Sequence, residues 1–153
     1  MRVLLTVALL LVPAVSLAGI QEKKAIAASE KRMNEELVQV SKACGNAKLK
    51  ATIDWSAWEK YAYKDKDEKA AILGYVGGLI AEIYGFLEST CTKDELYKSE
   101  IAKLTVLAFS GKPERKEYDQ AAFKLKGTTL VVSLNGDGVG SWKNEEAIKA
   151  VWE

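Results

Sequence analysis

The sequence predicts an α+β domain in which a long glycine- and alanine-striped helix and an N-terminal helix pack on a small, mainly antiparallel sheet of three to four strands. Three observations carry this expectation. The apolar run over residues 70–87 is too long for a strand, residues 49–55 alternate apolar and polar side chains, and two β-rich segments flank Gly127.

The chain of 153 residues opens on Met1 and Arg2, then runs apolar over residues 3–15, broken only by Thr6 and Pro13. Ser16 and Ala18 place small side chains three and one residues before Gly19, the pattern of a cleavable secretory signal. Residues 1–18 are therefore expected to be removed, leaving residues 19–153 as one soluble domain in the periplasm or the medium. No stable membrane anchor is expected, because the leader's apolar run falls short of the roughly 20 residues that span a bilayer. Ile20 also stands where a lipid-bearing cysteine would have to be.

Composition narrows the function further. The full chain has 22 basic and 21 acidic residues, so removal of Arg2 leaves 21 against 21. A neutral surface with interspersed signs argues against nucleic acid as a partner. Cys44 and Cys91 are the two cysteines, and in an oxidising space such a pair forms one disulfide. Their spacing is no redox CxxC, and a chain without histidine has little to complete a zinc site.

Residues 21–44 place Ile26, Met33, Leu37, Val40 and Cys44 on one helical face, and Gly45 with Asn46 ends that helix. Leu49, Ala51, Ile53 and Trp55 then alternate with Lys48, Lys50, Thr52 and Asp54, which reads as a half-buried strand. Ser56 precedes Glu59 at capping-box spacing, so a short helix carrying Trp58 and Tyr61 on one face follows. Asp65 and Glu68 repeat that spacing before the long apolar run.

Only Glu82 is charged within residues 70–87, so this helix is expected to be buried nearly all round. Ala71, Gly74, Gly78, Ala81 and Gly85 recur every three or four residues and form a small-residue stripe. Relative to alanine, Gly74, Gly77, Gly78 and Gly85 together cost about 3–4 kcal/mol of helix stability. A close-packed neighbour is expected to offset this, and the N-terminal helix is the candidate, with a bond from Cys44 to Cys91 joining the two ends. The same stripe also fits a homodimer seam through Gly74, Gly78 and Gly85, or a membrane-inserting segment, against which Glu82 counts.

Thr92 and Glu95 make a third capping pair, opening a short helix that faces inward through Leu96, Ile101 and Leu104. Residues 104–110 read as a strand and residues 111–120 as a polar connection. Residues 121–126 and 128–134 form a hairpin about Gly127, with Phe123, Leu125, Leu130, Val132 and Leu134 toward the core. A last helix begins near Asn144 and docks through Ile148, Val151 and Trp152.

The absence of histidine removes the usual general base and every Ser-His or Cys-His arrangement. Asp54 and Glu59 flank a tryptophan-rich turn and sketch a carboxylate hydrolase, but a strand end and a capping position account for both. Over residues 135–146, Asn135, Asp137 and Glu146 fall at positions 1, 3 and 12 of a calcium loop with Gly140 at position 6. Val139 and Lys143 occupy positions 5 and 9, which favours an ordinary glycine-rich turn. Trp55, Trp58, Tyr61 and Tyr63 form the densest aromatic cluster, a possible interaction surface for which core packing is the stronger reading. The expectation is a non-enzymatic binding or interaction protein with no cofactor. Its alternatives are a carrier of a small apolar ligand or lipid and a carboxylate-based hydrolase.

Overall fold

The computed structural model describes residues 17–140 and 143–153. The expected leader therefore lies outside the described residues, except that Leu17 and Ala18 begin the first helix. Ser141 and Trp142 in the glycine-rich turn also lie outside them.

The order of elements is α1 (Leu17–Ala43), β1 (Lys50–Asp54), α2 (Ser56–Glu59), α3 (Lys66–Lys93), α4 (Glu95–Ile101), β2 (Val106–Gly111), β3 (Asp119–Gln120), β4 (Ala122–Lys126), β5 (Thr129–Leu134), β6 (Val139–Gly140) and α5 (Asn144–Lys149), followed by a 3-10 turn at Ala150–Trp152. The main sheet runs β1-β2-β5-β4, and β3 pairs with β6 in a separate two-stranded ribbon. The fold is α+β with four main strands, as the sequence implies.

The sheet is mixed rather than mainly antiparallel. Only the β4–β5 hairpin is antiparallel, while β1–β2 and β2–β5 are parallel. Helices α2 to α4 form the crossover that returns the chain to lay β2 alongside β1 in the same direction. The hairpin then inserts β5 between β2 and β4. Gly127 at its tip has φ +59°, a left-handed conformation that suits glycine.

One face of the sheet is covered. Leu107, Phe109, Leu130, Val132 and Leu134 are fully buried there against Leu73, Val76, Ile80, Ile83, Tyr84 and Leu87 of α3. The Tyr84 and Phe109 rings meet edge-on at 5.7 Å. Register puts Lys50, Thr52, Asp54, Ala108, Val131 and Lys124 on the opposite face, which no helix among the described residues covers.

Helix α3 is longer than the apolar run and less enclosed than expected. Ala71, Gly74, Tyr75, Glu82 and Gly85 are exposed, because α1 covers one flank and the sheet another. It is long and apolar enough to cross a membrane, with half of its most apolar window buried within the fold. The closest helix contact is at Gly77, beside the stripe: an added Cβ there would lie 2.8 Å from Ser29 Cα. Gly74 meets Ala25 and Gly78 meets Arg32, whereas Gly85 has open space around it. The buried Ser29 hydroxyl donates to the Leu73 carbonyl at 2.6 Å and accepts from the Gly77 N–H at 3.0 Å. Helices α1 and α3 run in the same direction, so their C-terminal ends coincide, and Cys44 is bonded to Cys91 there with Cα atoms 5.2 Å apart. Cys91 belongs to the last turns of α3 rather than following it.

Two of the three capping expectations need correction. Asp65 caps α3 by accepting from the Glu68 N–H at 2.8 Å, and Glu68 in turn accepts from the Lys64 N–H. For α2 it is Asp54, not Ser56, that accepts, taking the Ser56 N–H at 3.0 Å. For α4 the N-cap is Asp94, because α3 continues through Thr92. In each case a carboxylate two residues from the expected hydroxyl takes the bond.

Candidate functional site

Strands β1, β2 and β5 share one direction, so their C-terminal ends lie along one edge of the domain. Three connections leave that edge: residues 55–65 after β1, residues 112–118 after β2, and residues 135–138 after β5. In sheets of parallel strands, this end is where ligands bind.

Arg115 gathers the three connections. Its Nε donates to both oxygens of Asp137, at 2.8 and 3.1 Å. Nη2 donates to Glu68 Oε1 at 2.9 Å, and Nη1 to the Ala62 carbonyl at 2.6 Å and to Glu68 Oε2 at 3.3 Å. The guanidinium carbon also stands 5.3 Å from the centre of the Tyr63 ring. This arrangement engages all three nitrogens of the arginine's planar fork. The hydrogen bonds from Arg115 hold the Glu68 carboxyl down at about 2. Those two carboxylates in turn push the Arg115 guanidinium further up.

The aromatic cluster divides by burial. Trp58 is fully buried and Tyr61 nearly so, which places both in the core, while Trp55 and Tyr63 are half-buried. Helix α2 stops at Glu59, so Tyr61 is set by the following turn rather than by a shared helical face. The Tyr61 hydroxyl donates to the Lys112 carbonyl at 2.7 Å and the Tyr63 hydroxyl to the Trp58 carbonyl at 2.5 Å. Burial pushes Tyr63 up to about 12 and raises Tyr61 as well. Trp55 Nε1 donates to Glu30 of α1 at 3.0 Å.

The glycine-rich turn serves this packing. A Cβ on Gly136 would come within 2.8 Å of Trp58 Nε1, and one on Gly138 within 2.9 Å of the Tyr118 ring. Asn135, fully buried, exchanges hydrogen bonds with the backbone of Lys116. Asp137 faces Arg115 with both oxygens, so a calcium ion would have to displace the guanidinium. Among the described residues no group of three potential ligands is placed to hold a metal. Asp54 is exposed, its pKa lowered by the Ser56 N–H, and Glu59 is exposed on α2.

Beside the clasp lies an open cleft of about 530 Å³, lined by Lys112, Asp119, Gln120, Ala121, Lys143, Glu146, Ala147 and Ala150. Lys112 Nζ donates to Asp119 at 2.8 Å and to the Gln120 carbonyl. That bond from Lys112 lowers the Asp119 pKa. Tyr118, on the same loop, is 72% exposed. The lining offers both signs of charge, and Tyr118, next to Asp119 in the chain, adds an exposed phenol outside it, which is recognition chemistry. The carboxylates with a resolved shift here, Glu68 and Asp119, are held ionised, the opposite of a general acid poised near neutrality.

Arg115, Lys112 and Asp119 were not singled out by the sequence, which shows them only as charges in polar segments, while Glu68 and Asp137 stood out as a capping position and a calcium-loop position and not as partners of Arg115. Of the three seam glycines, Gly78 is buried under Arg32 of the same chain, and Gly74 and Gly85 are exposed. No family model, curated protein or solved structure matches the chain.

Proposed function

We propose that the protein is an exported binding module that captures a partner protein at the loop end of its sheet, without covalent chemistry. The observation that carries this reading is the Arg115 clasp, which pins three loops at the carboxyl ends of three parallel strands, one of which, residues 112–118, contributes Lys112 to the cleft and leads into Asp119 and Gln120 of its lining. A preformed surface loses little freedom on binding. The exposed Tyr118 beside paired charges has the composition of an interface anchor with a polar rim. Export is supported by the leader pattern of residues 1–18 together with the Cys44 to Cys91 bond.

The reading as a carrier of an apolar ligand gains no support, since the space between α3 and the sheet is filled by side chains that are fully buried. The test is capture from the envelope or medium of the producing cells by immobilised, oxidised protein. Wild type retains a partner that both Tyr118→Ala and Lys143→Glu lose. A wild type that retains nothing, or variants that retain the same partner equally well, would overturn the assignment.

A further inference from the structure

Among the described residues strand β1 is an edge strand, paired only with β2. The Lys50 N–H donates to the Thr105 carbonyl at 3.0 Å. Backbone groups alternate along a strand, so Lys50, Thr52 and Asp54 turn theirs toward β2, and Ala51 and Ile53 turn theirs outward. The side chains of Lys50, Thr52 and Asp54 are exposed on the uncovered face.

The strand Lys-Ala-Thr-Ile-Asp is self-complementary when laid antiparallel against itself about Thr52. In that register Lys50 opposes Asp54 of the partner subunit, and Thr52 opposes the partner's Thr52. The backbone agrees with the charges. Outward-turned Ala51 meets the partner's Ile53, itself turned outward, so the two equivalent pairs exchange four N–H···O=C bonds. The charged pairs fall at non-hydrogen-bonded positions, where opposing side chains come closest. A slip of one residue sets outward groups against inward ones, and a slip of two loses the charge match. One oxygen of Asp54 takes the Ser56 N–H at 3.0 Å, which leaves the other for a lysine.

We propose that β1 is the docking edge for a second copy of this chain, joining two four-stranded sheets into one of eight strands across a twofold axis at Thr52. Pairing removes the exposed ladder groups that make a bare edge an aggregation hazard. The inference is independent of the loop-end partner, since β1 meets its copy along the sheet's lateral edge and no partner enters the test.

Sedimentation equilibrium of the oxidised protein reads the mass directly. The expected result is a mass that doubles with rising concentration. Lys50→Glu and Asp54→Lys each set like charges opposite one another and weaken association about tenfold or more. An equal mixture of the two variants sets opposite charges together and recovers it. Thr52→Cys, on the axis, yields an interchain disulfide under mild oxidation, a readout that does not depend on the charge variants folding well. A wild type that stays monomeric at every concentration overturns the proposal. So does association indifferent to both charge changes, or a Thr52→Cys chain that keeps its intrachain bond and never crosslinks.

Discussion

Gly77→Ala changes one methyl group at the closest point between α1 and α3. The new Cβ would stand 2.8 Å from Ser29 Cα, 3.0 Å from its carbonyl oxygen and 3.2 Å from its Cβ. These neighbours are backbone and a buried serine, so relief requires α1 to retreat by roughly 1 Å to reach ordinary contact. Alanine's helix propensity favours the variant by about 0.8–1 kcal/mol. Forcing packed backbones apart costs about 1–3 kcal/mol. The retreat also stretches the Ser29 bonds to Leu73 and Gly77, each worth about 1 kcal/mol when buried. The net expectation is a loss of about 2 kcal/mol, a melting shift of roughly 5–10 °C for a domain of this size. Gly85→Ala supplies the internal control, since nothing lies within 4 Å of its added Cβ and propensity alone should stabilise it by about 0.8–1 kcal/mol. Urea unfolding of the two oxidised variants, followed by circular dichroism, should therefore move the midpoints in opposite directions. A Gly77→Ala variant as stable as Gly85→Ala would refute the close-packing account of the helix pair.

Reducing the bond between Cys44 and Cys91, which closes a separation of 47 residues, should remove about 4 kcal/mol, read as a lower urea midpoint in the presence of reductant. Glu68 has a lowered folded-state pKa of about 2, so its contribution is complete above the ordinary value of 4.5 and is lost as the pH falls from there toward 2. Wild type should lose more stability than Glu68→Gln across that window, and parallel pH profiles would count against the clasp. Gly136→Ala drives a methyl group into the buried Trp58 ring and should cost about 1–3 kcal/mol with a changed tryptophan emission. Arg115→Met strands Glu68 and Asp137 together. Faster hydrogen exchange over residues 112–118 and 135–138, with the α3 amides still protected, is the expected signature.

The parts of this fold that were legible in the sequence are those governed by local period and local chemistry. Both long helices, the alternating segment at β1, the hairpin about Gly127 and the cysteine pair all follow from patterns within a few turns or from composition. Strand direction was not legible, because parallel pairing of β1 with β2 depends on a crossover of some fifty residues that leaves no mark on either strand. The stripe through Gly74, Gly78 and Gly85 marked α3 as close-packed, yet the tightest contact fell on Gly77, since the neighbour's crossing angle selects which glycines are needed. The clasp was invisible for a related reason. Arg115 meets Glu68 across 47 residues and Asp137 across 22, and no spacing rule links them. Gly136 and Gly138 read as part of an ordinary glycine-rich turn, but no local pattern showed that their smallness accommodates the rings of Trp58 and Tyr118.

Native mass spectrometry of the protein recovered from the cells that make it tests the account most directly. We predict a chain that begins at Gly19, lacks the two hydrogens of its paired thiols, and carries a noncovalent partner that Tyr118→Ala sheds. A bare polypeptide with residues 1–18 attached and both thiols free would contradict it.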